Sequence, residues 1–468
     1  MMMSTTLRNR ANWSFGLPKT LHAFGVNIIL LPLGIATSVL IARSVGPTGK
    51  GSFDLIIATA ALLGMFLSLS LPPGITYVVA QGKVSSNVLA WHLALVTILQ
   101  ALVALVIVSL LQLTGYSDIF LPNWGLWIVA GLVVYVWVDM LNKFWGAILA
   151  GRQQIAIVNN SELVGRMVQF LTLFIVAGGL YLSDKRLSVG LLFLVTLSAS
   201  VLINVLLLTS LGLKFETSRD FSGLKAAIAF ALPCYGANTA QFLNYRLDVF
   251  VVGFFAGATS VGRYTLAVSL GQLLWLMSNS VATVLLPKVA AATDAGDSAP
   301  DTADTASNTV SHTARLTRLA LWATGVGAIA LALLATQAIP LLYGEAFRPS
   351  ISALLWLLPG IVVFSVANVL AAYIAGIGKP HLNLWVSGIS LVITIALDLL
   401  LIPKLNIVGA SIASTVSYSV SALILMIFFI RQTGASMQQI LLPNSEDLDL
   451  ARQLAQPLLR RVGLQRAV

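Results

Sequence analysis

Apolar residues occur along most of this chain in long uninterrupted runs, separated by short polar segments. A helix of roughly 20 apolar residues crosses the 30 Å core of a bilayer, so each run is long enough to span a membrane. The runs do not alternate with polar residues, which argues against a transmembrane β-barrel. We predict an all-α polytopic membrane protein with about twelve spans, at residues 21–42, 54–80, 88–111, 122–149, 155–182, 188–211, 224–255, 260–289, 316–343, 351–377, 381–402 and 407–430.

Composition supports this interpretation. The 468 residues are 58% hydrophobic and 9% charged, whereas roughly 25% of residues are charged in soluble proteins. An ordinary soluble enzyme is therefore excluded. The single cysteine, Cys234, leaves no disulfide within the chain, and the four histidines are too scattered for a metal site, so no metal or cofactor is predicted.

The positive charges are unevenly distributed between the predicted loops. Of 27 lysines and arginines, seventeen fall in segments that are cytoplasmic if the N-terminus is cytoplasmic, and seven fall on the other side. The positive-inside rule therefore favours this orientation, with both termini cytoplasmic. The net charge of +10 is then explained by membrane topology and by attraction of the cytoplasmic face to anionic lipids. No nucleic-acid partner is predicted.

An internal repeat divides the predicted spans into two sets of six. Residues 46–53 and 257–264 both fit the pattern G-x-T-x-x-G-x-[FY], and they follow spans one and seven. Because six is even, both copies enter the membrane from the same side, which predicts a parallel repeat. The predicted division is a cytoplasmic N-terminus at 1–20, an N-terminal lobe at 21–212, a connector at 213–223, a C-terminal lobe at 224–432 and a cytoplasmic tail at 433–468.

Two polar segments stand apart from the spans. A polar cytoplasmic linker is expected at 293–315, and its small, acidic residues 293–312 have too little apolar surface to fold alone, so we predict disorder there. The tail from residue 445 mixes leucines with arginines, which is typical of a helix that lies on the membrane surface.

Charged residues inside the predicted spans require an explanation, because each costs at least about 2.5 kcal/mol at the membrane centre. Asp139 and Lys143 lie four residues apart on span four, and Glu162 and Arg166 lie four apart on span five. This spacing favours ion pairs within each helix, and a hairpin of the two helices would place all four charges at similar depth. They either hold the hairpin together or line a wet cleft that offers Arg166 and Lys143 to phosphates, and we favour the structural role.

Span seven carries a polar stripe. Gln241, Asn244 and Asp248 share one helix face, with Asn238 and Tyr245 beside them. The stripe either makes hydrogen bonds between helices or forms the wall of a hydrophilic cavity, and we favour the cavity wall.

Two further charges are candidates for transport chemistry. Arg246 points away from Asp248, so it needs another partner, and it is our main candidate for a phosphate contact. Asp398 lies near the outer end of span eleven, where we expect an interfacial position or a role in ion coupling.

Three segments carry a family resemblance: IARSVGPTGKGSF at 41–53, FALPCYGANTAQFLNYRLDVFVVGFFAGATSVGRYTLA at 230–267 and LLIPKLNIVGASIASTVSY at 400–418. With them the chain resembles the multidrug/oligosaccharidyl-lipid/polysaccharide (MOP) exporter superfamily, in particular its branch of oligosaccharide flippases. The resemblance implies a MATE-like pair of six-helix lobes in a bacterial inner membrane. It also implies alternating access, with a polyprenyl-pyrophosphate-linked glycan as substrate and other polysaccharide assembly proteins as partners.

The chain differs in two respects from other members of the superfamily. Relatives that move the peptidoglycan precursor usually have fourteen spans, and this chain lacks the extra pair. Related multidrug exporters often carry an acidic residue in span one, and residues 21–42 contain none, which weakens the alternative that this chain is a multidrug exporter.

A polysaccharide polymerase or ligase would need a large outer loop with catalytic residues, and the predicted outer loops are short. We therefore expect a transporter rather than an enzyme.

Overall fold

The computed structural model describes residues 17–82, 84–113, 126–183, 187–212, 216–295, 302–444 and 447, and within them the protein is entirely helical. The helices are α1 (Leu17–Ser68), α2 (Leu71–Ala80), α3 (Ser86–Leu113), α4 (Leu126–Gly151), α5 (Ile155–Leu182), α6 (Val189–Leu211), α7 (Ser222–Gln272), α8 (Trp275–Ala295), α9 (Thr302–Tyr343), a short 3₁₀ turn (Glu345–Phe347), α10 (Ser350–Gly376), α11 (Pro380–Thr433) and α12 (Met437–Leu441).

The number of spans follows from breaks in the three longest helices. Nine helices of the described residues are long and apolar enough to cross a membrane. Those in α1, α7 and α11 are each interrupted by a residue with positive φ: Gly46 (68°), Gly257 (75°) and Asn406 (54°). The three breaks divide the nine helices into twelve apolar segments, of which residues 258–272 are continued after a short turn by α8. The predicted all-α architecture of about twelve spans is confirmed.

Two predicted spans are not continuous, which corrects the sequence analysis. The predicted span at 54–80 stops at Ser68, turns through Leu69 and Ser70, and resumes as α2. Prolines at the first positions of α2 explain the restart, because proline lacks the N–H that would continue the preceding helix. The predicted span at 260–289 is likewise divided by a turn at 273–274 between α7 and α8.

The predicted disorder at 293–312 is wrong for the parts that the structure describes. Helix α8 continues to Ala295, and α9 begins at Thr302 and runs without interruption into its apolar part. Extending an existing helix adds one hydrogen bond per residue without a new nucleation step, so a polar segment next to a membrane helix continues it readily. The predicted surface helix from residue 445 lies outside the described residues, except for Asp447.

The first compact unit comprises the described parts of residues 1–44, 67–107 and 126–232. Helix α4 packs against α2 and α6, and α5 packs against α6. Leu71, Ile75, Phe144 and Ile148 lie at the centre of its apolar core. At one end of this unit the Arg152 guanidinium donates to the backbone oxygen of Leu211 at 3.0 Å, so the end of α4 is joined to the end of α6.

The second compact unit comprises the described parts of residues 45–66, 108–125 and 233–468. Helix α10 is its most buried span and packs against α8, α9 and α11. Gly360 allows close contact with α11 at Thr415, whose hydroxyl donates to the backbone oxygen of Trp356 at 2.6 Å. Residues 45–66 group with this unit rather than with the predicted N-terminal lobe, because the repeated segment that begins at Gly46 packs against its counterpart in α7.

Candidate functional site

The two copies of the repeated segment contact each other within the second unit, and we call this contact the repeat junction (46–54 with 257–265). Gly46 and Gly257 adopt the same backbone conformation, with φ of 68° and 75° and ψ of −178° and 173°. This conformation is essentially restricted to glycine. The hydroxyls of Thr48 and Thr259, which are equivalent positions of the repeat, are 2.7 Å apart.

Glycine is required at a second pair of equivalent positions in the repeat junction. A Cβ on Gly51 would lie 1.7 Å from the backbone oxygen of Ala258, and a Cβ on Gly262 would lie 2.1 Å from that of Pro47. The backbones of the two segments are therefore in direct contact at Gly51 and Gly262. Contact between equivalent residues is what a local two-fold axis between the segments produces. The structure thus supports the repeat at the residues from which it was inferred.

A charged group closes one side of the repeat junction. Lys50 is buried, and its ammonium lies 2.5 Å from the carboxylate of Asp54. The hydroxyl of Thr265 also donates to Asp54, and Thr265 is the repeat equivalent of Asp54. Removing one partner of a buried ion pair strongly destabilises a protein, because the other charge stays buried alone. Lys50, Asp54 and Thr265 therefore fix the register of the two segments. Sequence reasoning placed Lys50 in an outer loop and missed this arrangement.

A second set of buried polar side chains, the inner polar cluster, joins α7 to α11. Asn244 donates to Ser390 at 3.0 Å, and Thr394 donates to the side-chain oxygen of Asn244 at 2.7 Å. Four residues further along α7, Asp248 accepts hydrogen bonds from the Tyr264 hydroxyl and from the backbone N–H of Val249. The cluster consists of Asn244, Asp248, Tyr264, Ser390, Thr394, Asp398, Ser414 and Ser417.

Asp398 is the unusual member of the inner polar cluster. Its side chain is fully buried (0% exposed), and neither carboxyl oxygen has a hydrogen-bond partner among the described residues. Ser390, Thr394 and Asp398 recur every fourth residue and so share the inward face of α11, and all three are buried. A buried carboxyl group without a partner must carry a proton or bind a cation. Asp398 is therefore the candidate coupling residue.

The predicted polar stripe of α7 divides into a buried part and an exposed part. Asn244 and Asp248 are buried in the inner polar cluster, whereas Asn238 and Gln241 are exposed. The prediction that all of them line one open wall is therefore wrong. Asn244 is hydrogen-bonded to α11, whereas Asp248 is hydrogen-bonded to Tyr264, in the part of α7 that follows the break at Gly257. The interhelical alternative fits Asn244 and Asp248, and a cavity wall remains our proposal for Asn238 and Gln241.

Tyr245 and Arg246 point in different directions. The Tyr245 ring is half-buried among Trp275, Phe364 and Tyr418, and its hydroxyl accepts a hydrogen bond from Gln241 at 2.8 Å. Arg246 is exposed and has no ion pair or hydrogen bond within the described part of the chain. The guanidinium of Arg246 is thus available to an anionic ligand.

A small cavity of about 80 Å³ is lined by Gln241 and by one member of the inner polar cluster, Asn244. Asn244, Asn368, Asn383 and Ser387 supply polar groups to its lining. Liquid water occupies about 30 Å³ per molecule, and drug-sized ligands occupy pockets of at least about 300 Å³. The cavity therefore fits water or a small cation and excludes a sugar.

The four predicted charges of the first unit form two separate ion pairs. Lys143 lies 2.6 Å from Asp139, and Arg166 lies 3.8 Å from Glu162. No hydrogen bond or ion pair within the described residues links one pair to the other, so the predicted four-charge network is not formed. All four side chains are between 31% and 55% exposed. Because lipid-facing charges are costly, this exposure favours the wet-cleft alternative over a purely structural one.

Two features of the site escaped sequence reasoning, and each had a visible signal. Tyr264 occupies the aromatic position of the repeated pattern, yet its bond to Asp248 was not anticipated. The polar residues Ser390, Thr394 and Asp398 of α11 are spaced by four residues. This helical spacing would have identified the inward face of α11.

Comparisons with known proteins agree with this geometry. The chain is similar in structure to a lipid II flippase MurJ in an inward closed conformation (TM-score 0.68, 15% identity, 90% of this chain and 88% of that chain). It is similarly close to an inward-facing multidrug resistance MATE family transporter of the MOP superfamily (TM-score 0.65, 16% identity, 86% and 94% covered). Likeness at these identities shows the fold alone.

One curated sequence also matches over part of its length. It is the Rhizobium meliloti (strain 1021) protein named "Probable multidrug resistance protein NorM", 26% identical over 204 residues. The match covers 41% of this chain and 40% of that protein.

The shared fold agrees with the resemblance to the MOP exporter superfamily. The family model described as "Lipid II flippase MurJ" matches residues 82–450, which is most of the chain. The protein belongs to the MurJ family. Its many apolar helices and this family mark it as a multi-pass membrane protein.

Proposed function

We propose that this protein is an alternating-access flippase that moves a polyprenyl-pyrophosphate-linked oligosaccharide across the bacterial inner membrane, for cell-surface or extracellular polysaccharide synthesis. The observation that carries the proposal is that each unit presents exposed charges within membrane-spanning helices. In the first unit these are the two ion pairs of α4 and α5, and in the second unit the exposed charge is Arg246.

The chemistry of such a substrate matches these exposed side chains. A pyrophosphate and many hydroxyls must cross hydrocarbon, while the polyprenyl chain stays in lipid. Arginine binds phosphate oxygens through two parallel N–H donors, and amides such as Gln241 and Asn238 exchange hydrogen bonds with hydroxyls. Arg246, Arg166 and Lys143 are accordingly the proposed phosphate contacts. Asn238 and Gln241 are the proposed sugar contacts.

The inner polar cluster has a different proposed role. Its carboxyl groups are buried, and the adjoining cavity is too small for a sugar. We assign it to coupling, in which a proton or small cation reaches Asp398 and changes how α7 and α11 pack. Asp248 and Tyr264 supply the hydrogen-bonded frame.

Replacing Arg246 by alanine tests the proposed phosphate contact. We expect Arg246→Ala to reduce glycan export roughly tenfold or more, since a charge-assisted hydrogen bond contributes about 1.5–3 kcal/mol. Export is measured as surface glycan and as glycolipid retained in the cytoplasmic leaflet, at equal membrane abundance of the variants.

The matched control is Arg219→Ala, which removes one exposed arginine from the loop before α7. Arg152→Ala would be a poorer control because Arg152 joins α4 to α6. Equal export by the Arg246 and Arg219 variants would remove Arg246 from the substrate path.

A multidrug exporter is the second candidate, favoured by the partial match to the Rhizobium meliloti protein. Cells lacking the protein distinguish the two functions. A drug exporter predicts higher drug sensitivity with normal glycan export, and the flippase predicts the reverse. A polymerase or ligase predicts loss of a bond-forming product instead.

A further inference from the structure

A large basic pocket lies at one end of the second unit, away from the inner polar cluster. The N-terminal part of α9, the C-terminal ends of α10 and α11, and α12 meet there around a cavity of about 1050 Å³. These ends belong to segments that the charge distribution predicts to be cytoplasmic. Its charged and titratable lining residues are His312, Arg315, Arg318, Tyr373 and Lys379.

The pocket carries an excess of positive charge. Arg318 is buried and donates to Asp447 and, at 2.5 Å, to the backbone oxygen of Gln439, while Arg315 lies 3.4 Å from the same carboxylate. Burial opposes ionisation of Asp447, but the hydrogen bonds from Arg318 and from the backbone N–H of Asn444, together with the charges of both arginines, outweigh it, so the pKa of Asp447 lies below its ordinary value. One carboxylate thus serves two arginines.

Lys379 adds a further positive charge to the pocket. Its ammonium donates to the neutral side-chain oxygen of Gln432 at 3.2 Å and lies 5.7 Å from the centre of the Phe428 ring. Neither contact neutralises the charge. Among the described residues that line the pocket, three are basic and none is acidic.

The side chains around the pocket are of the kinds found at a membrane–water interface. Trp322, one turn from Arg318, is half-exposed, and its indole N–H donates to the backbone oxygen of Leu441 at 2.9 Å. Met437 and Leu442, at the two ends of α12, are also about half-exposed apolar side chains. Exposed tryptophan beside basic residues is typical of the headgroup level of a bilayer.

We propose that this pocket binds the phosphate headgroup of an anionic phospholipid from the cytoplasmic leaflet. The arginines and Lys379 contact the phosphate, and the acyl chains lie against the exposed apolar side chains near Trp322, Met437 and Leu442. The bound lipid joins α9, α10, α11 and α12 at one end of the second unit. This inference does not depend on which substrate the protein transports.

The test measures lipid binding by the full-length protein in detergent, by native mass spectrometry during titration with phosphatidylglycerol or phosphatidylcholine. The variant Arg315→Gln/Lys379→Gln removes two charges and leaves the buried Arg318–Asp447 pair intact. One basic residue near anionic lipid contributes about 1 kcal/mol, or roughly fivefold in affinity, so phosphatidylglycerol binding should weaken roughly 25-fold. Phosphatidylcholine binding should change little.

Two control variants separate specific recognition from general effects. Lys225→Gln/Lys288→Gln removes two exposed charges that are predicted to lie on the same face but do not line the pocket, and it should bind phosphatidylglycerol like the wild type. Arg315→Lys/Lys379→Arg preserves both charges and should also retain binding. An equal loss in either control would overturn the proposal. So would binding of inorganic pyrophosphate at the pocket, without anionic lipid, as tightly as phosphatidylglycerol.

Discussion

Gly51→Ala is expected to destabilise the protein by roughly 3 kcal/mol or more, although it adds a single methyl group. The new Cβ would lie 1.7 Å from the backbone oxygen of Ala258 and 2.7 Å from the backbone nitrogen of Gly262. Backbone atoms cannot move aside as a flexible side chain can, so the repeat junction must separate. The buried Lys50–Asp54 pair would be exposed as a consequence. The apparent melting temperature in detergent should fall by several degrees.

Gly388→Ala is the matched control for this substitution. It adds the same methyl group to α11 in the same unit, and no atom lies within 4 Å of the added Cβ. Because alanine favours a helix over glycine, the control should keep or slightly raise the melting temperature. Equal melting of the two variants would show that the backbones at Gly51 are not in close contact.

Asp398→Asn is expected to impair coupled transport strongly while leaving the protein folded. Asparagine has the shape of aspartate but can neither release a proton nor neutralise a cation. Because both carboxyl oxygens of Asp398 lack a described partner, no hydrogen bond is lost. Removing a buried ionisable group should keep or raise the melting temperature. Coupling free energies of 1–3 kcal/mol predict a reduction in transport of roughly tenfold or more.

Glu345→Gln provides the comparison, since it removes one acidic charge from an exposed position at which the carboxylate is 72% accessible. This variant should transport like the wild type. Wild-type transport by Asp398→Asn would exclude Asp398 from coupling. Loss of folded protein would instead indicate that Asp398 has only a structural role.

Periodicity and composition predicted the helices well because burial in a bilayer requires long apolar runs. The breaks at Gly46 and Gly257 were also visible, since only glycine fits that backbone conformation and both glycines belong to the repeated pattern. The turn at Leu69 and Ser70 was not, because neither residue favours positive φ and the apolar run continues through it. Such a turn depends on tertiary packing that a local pattern does not contain.

The candidate site was only partly predictable for a similar reason. Helical spacing grouped Gln241, Asn244 and Asp248 correctly on one face, but it could not show where α11 covers that face. The ion pairs of α4 and α5 followed directly from their spacing of four residues. Asp398 gained its importance only from burial without a partner, which is a property of the packed helices.

The most direct test uses purified protein in liposomes that contain lipid-linked oligosaccharides from the host, with an impermeant reagent that modifies only glycans on the outer surface. Wild-type protein should make glycolipid from the inner leaflet accessible, and Arg246→Ala should do so roughly tenfold more slowly than Arg219→Ala. Failure to translocate any of these glycolipids, with accumulation of a hydrolysed or transferred product, would contradict the proposed flippase function.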